Sequence, residues 1–110
     1  MLIENAKIAS ITLGKGENTH GVLSSWIHVD YAGSGQGFGG YHLGGPCLAL
    51  WVEGILDALR LESWDDLVGT VIRVRKSSTL GTIEAIGHAL EDRWFVPEEV
   101  FKEIRESVED

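Results

Sequence analysis

The chain is organised around one glycine-rich stretch, Gly33-Ser34-Gly35-Gln36-Gly37-Phe38-Gly39-Gly40-Tyr41-His42-Leu43-Gly44-Gly45. Seven of these thirteen residues are glycine, yet Phe38, Tyr41 and Leu43 are large, which is atypical of a flexible linker. Glycine loses more entropy on folding than any other residue, so its concentration in an ordered segment needs a reason. Three reasons are open: positive backbone φ, close approach of another backbone, or a ligand lying on exposed N–H groups.

Two segments before the glycines alternate with a period of two, as strands do. Glu4–Leu13 and His20–Tyr31 are separated by a turn rich in glycine and asparagine, which predicts an antiparallel hairpin. In the first segment, simple alternation places Ile8 on the face opposite to Ile11. After the first glycines, Gly37–Leu43 is predicted to form a third strand.

The second half of the chain combines helices and strands. Pro46 can open a helix, and the apolar residues that follow recur at helical spacing to Leu59; Gly54 inside it predicts a close helix contact. Thr70–Arg75 and Thr82–Leu90 are predicted to form a second hairpin, and Pro97 opens a final helix. The expected fold is therefore α+β, a mainly antiparallel sheet with one mid-chain helix packed on it and a C-terminal helix.

Composition limits the function classes. A length of 110 residues predicts a single domain over residues 1–110. The net charge of −8 disfavours binding to nucleic-acid polymers, which requires a basic surface. One cysteine, Cys47, excludes an intrachain disulfide, and neither a signal peptide nor a transmembrane segment is evident. We therefore expect a cytoplasmic protein that does not bind membranes.

Several catalytic and cofactor motifs are weak. The spacing Gly35-x-Gly37-x-x-Gly40 matches the dinucleotide fingerprint, but Tyr41-His42-Leu43-Gly44-Gly45 separates it from the helix that Pro46 opens. His28 and Asp30 share a strand face without the spacing of a known metal motif, so no metal or other cofactor is expected. A bulged strand packed under aromatic rings is an alternative reason for the glycines.

Aromatic and arginine side chains suit a nucleotide better. Aromatic faces stack on bases, and arginine pairs with phosphates. The aromatic candidates are Trp26, Phe38, Tyr41, Trp94 and Phe95, and the arginines are Arg73, Arg75 and Arg93. A core aromatic cluster with arginines in surface ion pairs explains the same residues without a ligand.

Several blocks together resemble a known family. They are Ile3-Glu4-Asn5-Ala6-Lys7-Ile8, the block Gly35-Gln36-Gly37-Phe38-Gly39-Gly40-Tyr41, Glu62-Ser63-Trp64-Asp65-Asp66-Leu67, and Ile86-Gly87-His88 followed by Asp92-Arg93-Trp94-Phe95. The series spans nearly the whole chain and is similar to the first type of phage Thoeris anti-defence proteins. The resemblance implies a cytoplasmic sponge in the host cell, which binds a cyclic ADP-ribose-type immune signal, and cyclic oligonucleotides at a second kind of site, without cleaving them.

The resemblance also implies a homo-oligomer, a dimer or hexamer with signal pockets at subunit contacts. On this basis Gly39 and Gly40 are expected to let a ligand or a neighbouring backbone approach. The other ligand-binding candidates are Tyr41, Arg60, Arg73, His88, Arg93, Trp94, Phe95 and Arg105, with Arg60 assigned to the second site. Two alternatives stay open: an enzyme acting on a cyclic nucleotide through His28 or His88 with Asp30, and an accessory protein that only oligomerises.

Overall fold

A computed structural model describes residues 2–16, 21–31, 33–78 and 81–108, with side chains as far as residue 102. In these residues the chain forms six strands and two α-helices. They are β1 (Leu2–Gly14), β2 (Ser24–Tyr31), β3 (Ser34–Gly39), α1 (Pro46–Leu59), β4 (Val71–Lys76), β5 (Ile83–His88), β6 (Trp94–Phe95) and α2 (Pro97–Val108), with a short 3-10 helix at Trp64–Asp66 between α1 and β4.

The strands form one antiparallel sheet in the order β3-β2-β1-β4-β5-β6. The long strand β1 lies at the centre, because its first half pairs with β4 and its second half with β2. Both predicted hairpins are therefore present, β1–β2 and β4–β5. The predicted α+β fold, with a mid-chain helix and a C-terminal helix, is confirmed.

One face of the sheet is covered by α1 and carries the core. Trp51 and Ile55 of α1 are fully buried, and the Trp51 ring meets those of Phe38 of β3 and Phe95 of β6. The opposite face, which we call the open face, carries the alternate residues of the same strands. Trp26, for example, projects from this face and remains 39% exposed.

The predicted facing of β1 is wrong, and a bulge explains the difference. The pairing with β2 shifts between Ile8 and Ser10, so Ala9 is an extra residue. A bulge changes the alternation by one position. Ile8 and Ile11 therefore both face the core, opposite Val29 and Ile27 respectively.

The glycine-rich strand also differs from its prediction. It was expected over Gly37–Leu43, but β3 runs from Ser34 to Gly39. Gly39 and Gly40 have φ of 135° and 83°, conformations that L side chains rarely adopt, and the strand ends there. The chain then turns inward, so that Leu43 is buried before α1 begins.

Gly54 permits a close contact as predicted, but with a strand and not with another helix. A Cβ at this position would lie 2.5 Å from Cε1 of Phe95. We expect Gly54→Val to destabilise the protein by about 1–3 kcal/mol, the usual cost of overpacking a core. Urea unfolding followed by circular dichroism measures this, with Gly44→Val as the control because a Cβ at Gly44 meets nothing within 4 Å. Equal stability of the two variants would contradict the contact.

Candidate functional site

Two arginines and one tryptophan form a compact group on the open face. Arg73 and Arg75 alternate with buried residues along β4, and Trp94 comes from β6. The guanidinium carbons of Arg73 and Arg75 lie 5.0 Å and 5.6 Å from the centroid of the Trp94 ring. Both distances fall within the range of cation–π attraction. We call Arg73, Arg75 and Trp94 the arginine–tryptophan surface.

A glycine in β5 makes this surface possible. Gly87 pairs with Arg73 on one side and with Trp94 on the other, so it lies between them on the open face. A Cβ at Gly87 would lie 2.7 Å from Cδ2 of Trp94. Because Gly87 has no side chain, the indole can lie down across β5 and reach the arginines of β4.

The hydrogen bonds of this group fix Arg73 and Trp94 but leave Arg75 less constrained. Arg73 donates through Nε to the carbonyl of His88 at 2.7 Å and through Nη2 to that of Glu91 at 2.6 Å. Trp94 donates its Nε1–H to Asp92 Oδ1 at 3.1 Å. The Nε of Arg75 is buried and has no hydrogen-bond partner among the described residues. A buried donor without an acceptor costs free energy.

Residues 88–93, from the last residue of β5 to the residue before β6, are held against the end of α1 by two more arginines. Arg60, which adopts the left-handed conformation at the end of α1, donates from Nη1 to Glu91 Oε1 at 2.9 Å. Arg93 donates from Nε and Nη2 to the carbonyl of Asp57 at 3.1 Å and 2.8 Å. Cations at a helix C-terminus complement its dipole. Arg60 and Arg93 therefore have structural partners within the chain.

The structure thus brings five of the predicted ligand-binding residues into one region: Arg60, Arg73, His88, Arg93 and Trp94. Phe95 lies apart from them, because it faces the core on the other side of β6 and is buried against Trp51. The side chain of Arg105 lies outside the described part of the chain.

Gly39 and Gly40 pack closely against β2 of the same chain. A Cβ at Gly39 would lie 2.3 Å from the carbonyl oxygen of Ser25, and one at Gly40 would lie 2.5 Å from Cζ2 of Trp26. Gly40 also donates its N–H to Ser25 at 2.8 Å. Of the reasons left open for these glycines, positive φ and close approach of a neighbouring backbone both hold, and the aromatic packing is with Trp26.

Tyr41 belongs to the aromatic core cluster. Its ring lies 5.7 Å from that of Trp51 and 5.4 Å from that of Phe101 of α2. Burial, and after it the negative charge of Glu98, raise the pKa of Tyr41 above its ordinary value of 10.0. The neutral phenol is therefore favoured in the folded state.

This pKa shift predicts an alkaline loss of stability. A pKa that is raised on folding contributes stability below the unfolded value, and this contribution is lost as the pH rises through the folded value. The pKa of Lys76 is also raised, chiefly by its hydrogen bond to Glu4, and acts in the same direction. We expect the free energy of unfolding to fall above about pH 10. This loss should be smaller for Tyr41→Phe than for the wild type. Urea titrations at about pH 8 and about pH 11 measure both; parallel losses would contradict the role of Tyr41.

A second feature of the open face lies beside Trp26. A groove of about 390 Å³ is lined by Thr12, Leu13, Gly14, Gly16, Ser24, Trp26 and His28. The rings of Trp26 and His28 are nearly parallel, with centroids 6.2 Å apart. The groove carries no arginine among the described residues. The residue types mark Trp26 as a candidate for stacking and Arg75 as a candidate for phosphate pairing, but the ligand-binding set based on the family resemblance includes neither.

The described residues contain no group of three or more His, Cys, Asp and Glu side chains that could hold a metal ion. In the same part of the chain, neither helix is long and apolar enough to span a bilayer.

Comparison with protein-family models, with curated proteins and with solved structures finds no significant match to this chain.

Proposed function

We propose that the protein binds a cyclic ADP-ribose-type nucleotide signal at the arginine–tryptophan surface and sequesters it without cleavage. One observation carries the proposal: two guanidinium groups, Arg73 and Arg75, flank one tryptophan ring on an open sheet face. Such a ligand contains a purine, riboses and phosphates. A purine stacks on an aromatic face, and phosphate oxygens accept hydrogen bonds from guanidinium groups.

The local charge supports this choice of ligand. The chain carries a net charge of −8, and four of its nine Lys and Arg residues lie in or beside this region: Arg60, Arg73, Arg75 and Arg93. Arg60 donates to Glu91, and Arg93 donates to the carbonyl of Asp57. Nε of Arg75, in contrast, has no hydrogen-bond partner in the described chain. Because Nε itself is buried, a ligand oxygen can reach only the exposed part of the half-buried Arg75 side chain. Glu84, Glu98 and Glu99 line a pocket together with Arg75, so the capacity for an anion depends on the guanidinium groups themselves and not on a net positive charge of the region.

The sponge role in phage anti-defence comes from the sequence resemblance, and it sets a requirement on affinity. A sponge that competes with a receptor needs a dissociation constant near nanomolar, which corresponds to a binding free energy of about −12 kcal/mol. One shallow surface is a poor source of such affinity, so we propose that a second copy of the chain covers the ligand. Ile3 and Val71, on the same open face, are 50% and 54% exposed. They offer apolar area for this contact, and light scattering that shows a dimer or hexamer tests it.

The proposed function is tested by retention and release. Purified protein is mixed with a cyclic ADP-ribose isomer, separated from unbound ligand, and denatured by heat, and the released material is identified by chromatography. We expect intact ligand at about one per subunit. A degraded product would instead establish an enzyme, with His28 and Asp30 on the open face as the first residues to substitute. No retained ligand would reject the sponge for this signal, and cyclic oligonucleotides would be tried next.

A further inference from the structure

His88 is held in one tautomer by the backbone around it. Its Nδ1 accepts hydrogen bonds from the backbone N–H groups of Leu90 at 3.1 Å and Glu91 at 3.0 Å. An imidazole nitrogen accepts only when it carries no proton. The proton of neutral His88 therefore resides on Nε2, which lies 3.5 Å from Oε2 of Glu91.

The segment that His88 folds is the one that positions the arginine–tryptophan surface. Arg73 donates to the carbonyls of His88 and Glu91, at the two ends of this turn. Asp92, one residue further on, accepts from the indole of Trp94. The backbone N–H of His88 also donates to the carbonyl of Arg93 at 3.0 Å. If the turn opens, Arg73 and Trp94 both lose partners that orient them.

We infer that His88 is a positioning residue for this surface, and that protonation of its imidazole releases residues 88–93. A protonated Nδ1 cannot accept, and it directs its own N–H toward two N–H donors. Histidine is the side chain whose ordinary charge change falls between about pH 5 and 8. Mild acidification is therefore the condition under which the release is tested.

Charged groups near the imidazole come from three parts of the chain. Arg73 belongs to β4, and Arg60 and the exposed Asp57 lie at the end of α1. The segment itself contributes Glu91, Asp92 and Arg93. The carboxylate of Glu91 can accept from the Nε2–H of His88 whether the imidazole is neutral or protonated, but this carboxylate already pairs with Arg60. Leu90 is 90% exposed, so the turn can open into water without disrupting the core.

The free protein provides the direct test. Nitrogen-15 spectra of the histidine rings at about pH 7.5 should show His88 as the Nε2–H tautomer. Between about pH 7.5 and about pH 5, amide protection of Leu90 and Glu91, corrected for the intrinsic exchange rate, should fall at least about tenfold, whereas protection within β1 should not change. An Nδ1–H tautomer, or protection that persists to the lower pH, would overturn the inference.

His88→Asn is the matched variant, because its side-chain oxygen can accept the same N–H groups but does not titrate. In this variant, protection of the Leu90 and Glu91 amides from exchange should be independent of pH. In the control variant His28→Gln, this protection should change with pH as it does in the wild type. The consequence for ligand affinity rests on the proposed function. If the ligand binds as proposed, the affinity of the wild type for the cyclic ADP-ribose isomer should fall at least about tenfold at the lower pH, and that of His88→Asn should not. Absence of ligand binding at every pH would reject the proposed function alone, since the amide measurements need no ligand.

Discussion

Trp51→Ala is expected to lower the free energy of unfolding by about 3–5 kcal/mol, the usual cost of truncating a large core aromatic. Trp51 is 0% exposed. Its ring contacts those of Phe38 at 5.4 Å, Tyr41 at 5.7 Å and Phe95 at 5.5 Å. These neighbours come from β3, from the segment after it and from β6. Truncation therefore leaves a cavity where both edges of the sheet meet α1.

Trp51→Phe is the control for this prediction. The indole Nε1 of Trp51 is buried without a hydrogen-bond partner among the described residues. Phenylalanine keeps an aromatic ring and removes that donor, so its loss of stability should be clearly smaller than that of alanine. Urea unfolding followed by circular dichroism measures both variants. A loss of less than about 1 kcal/mol for Trp51→Ala, below the range for such truncations, would contradict the central place of this residue in the core.

If the proposed function holds, Trp94→Ala weakens binding of the cyclic ADP-ribose isomer by about ten- to a hundredfold. Stacking of a base on an aromatic side chain contributes about 1–3 kcal/mol, and each 1.4 kcal/mol is about tenfold in affinity. Because the ring is half-buried on the open face, its removal should change stability far less than that of Trp51. Isothermal titration calorimetry with the cyclic ADP-ribose isomer gives the affinity of each variant.

Two further variants make this result specific. Trp26→Ala removes a second tryptophan of the open face, on whose ring no arginine of the described chain lies. The affinity of this variant should stay within about twofold of that of the wild type. Arg75→Gln removes a cation from the Trp94 ring and should weaken binding by about tenfold, in the range of charge-assisted hydrogen bonds. Equal losses for Trp26→Ala and Trp94→Ala would reject the arginine–tryptophan surface as the binding site.

Local periodicity predicts much of this fold. The alternation of Arg73 and Arg75 with Ile72 and Val74 correctly divides β4 between the open face and the core. Pro46 opens α1 where its fixed φ favours a helix start. These features depend on the residues of one element, so the sequence contains enough information to place them.

Features that depend on two elements are less accessible to sequence reasoning. The bulge at Ala9 lies just beyond Lys7, where the pairing of β1 with β4 ends, and nothing in the alternation of β1 itself marks the position. Gly54 predicts a close contact, but its partner, Phe95, lies on a strand forty-one residues away.

The candidate site shows the same limit. Sequence reasoning selects Arg73 and Arg93 as residues suited to phosphate, and the resemblance assigns Arg60 to a second site. In the folded chain each of them also donates to His88, Asp57 or Glu91. Only the strand register shows that Gly87 brings Trp94 against Arg73 and Arg75.

The most direct test of the account is a nuclear magnetic resonance titration of the protein with the cyclic ADP-ribose isomer, observed at the indole N–H signals. Trp94 donates its indole N–H beside the proposed site, whereas Trp26 lies beside the separate groove. The account predicts that the Trp94 signal shifts and saturates at about one ligand per subunit, while the Trp26 signal does not move. A saturating shift confined to Trp26, or no shift of either signal, would contradict binding at the arginine–tryptophan surface.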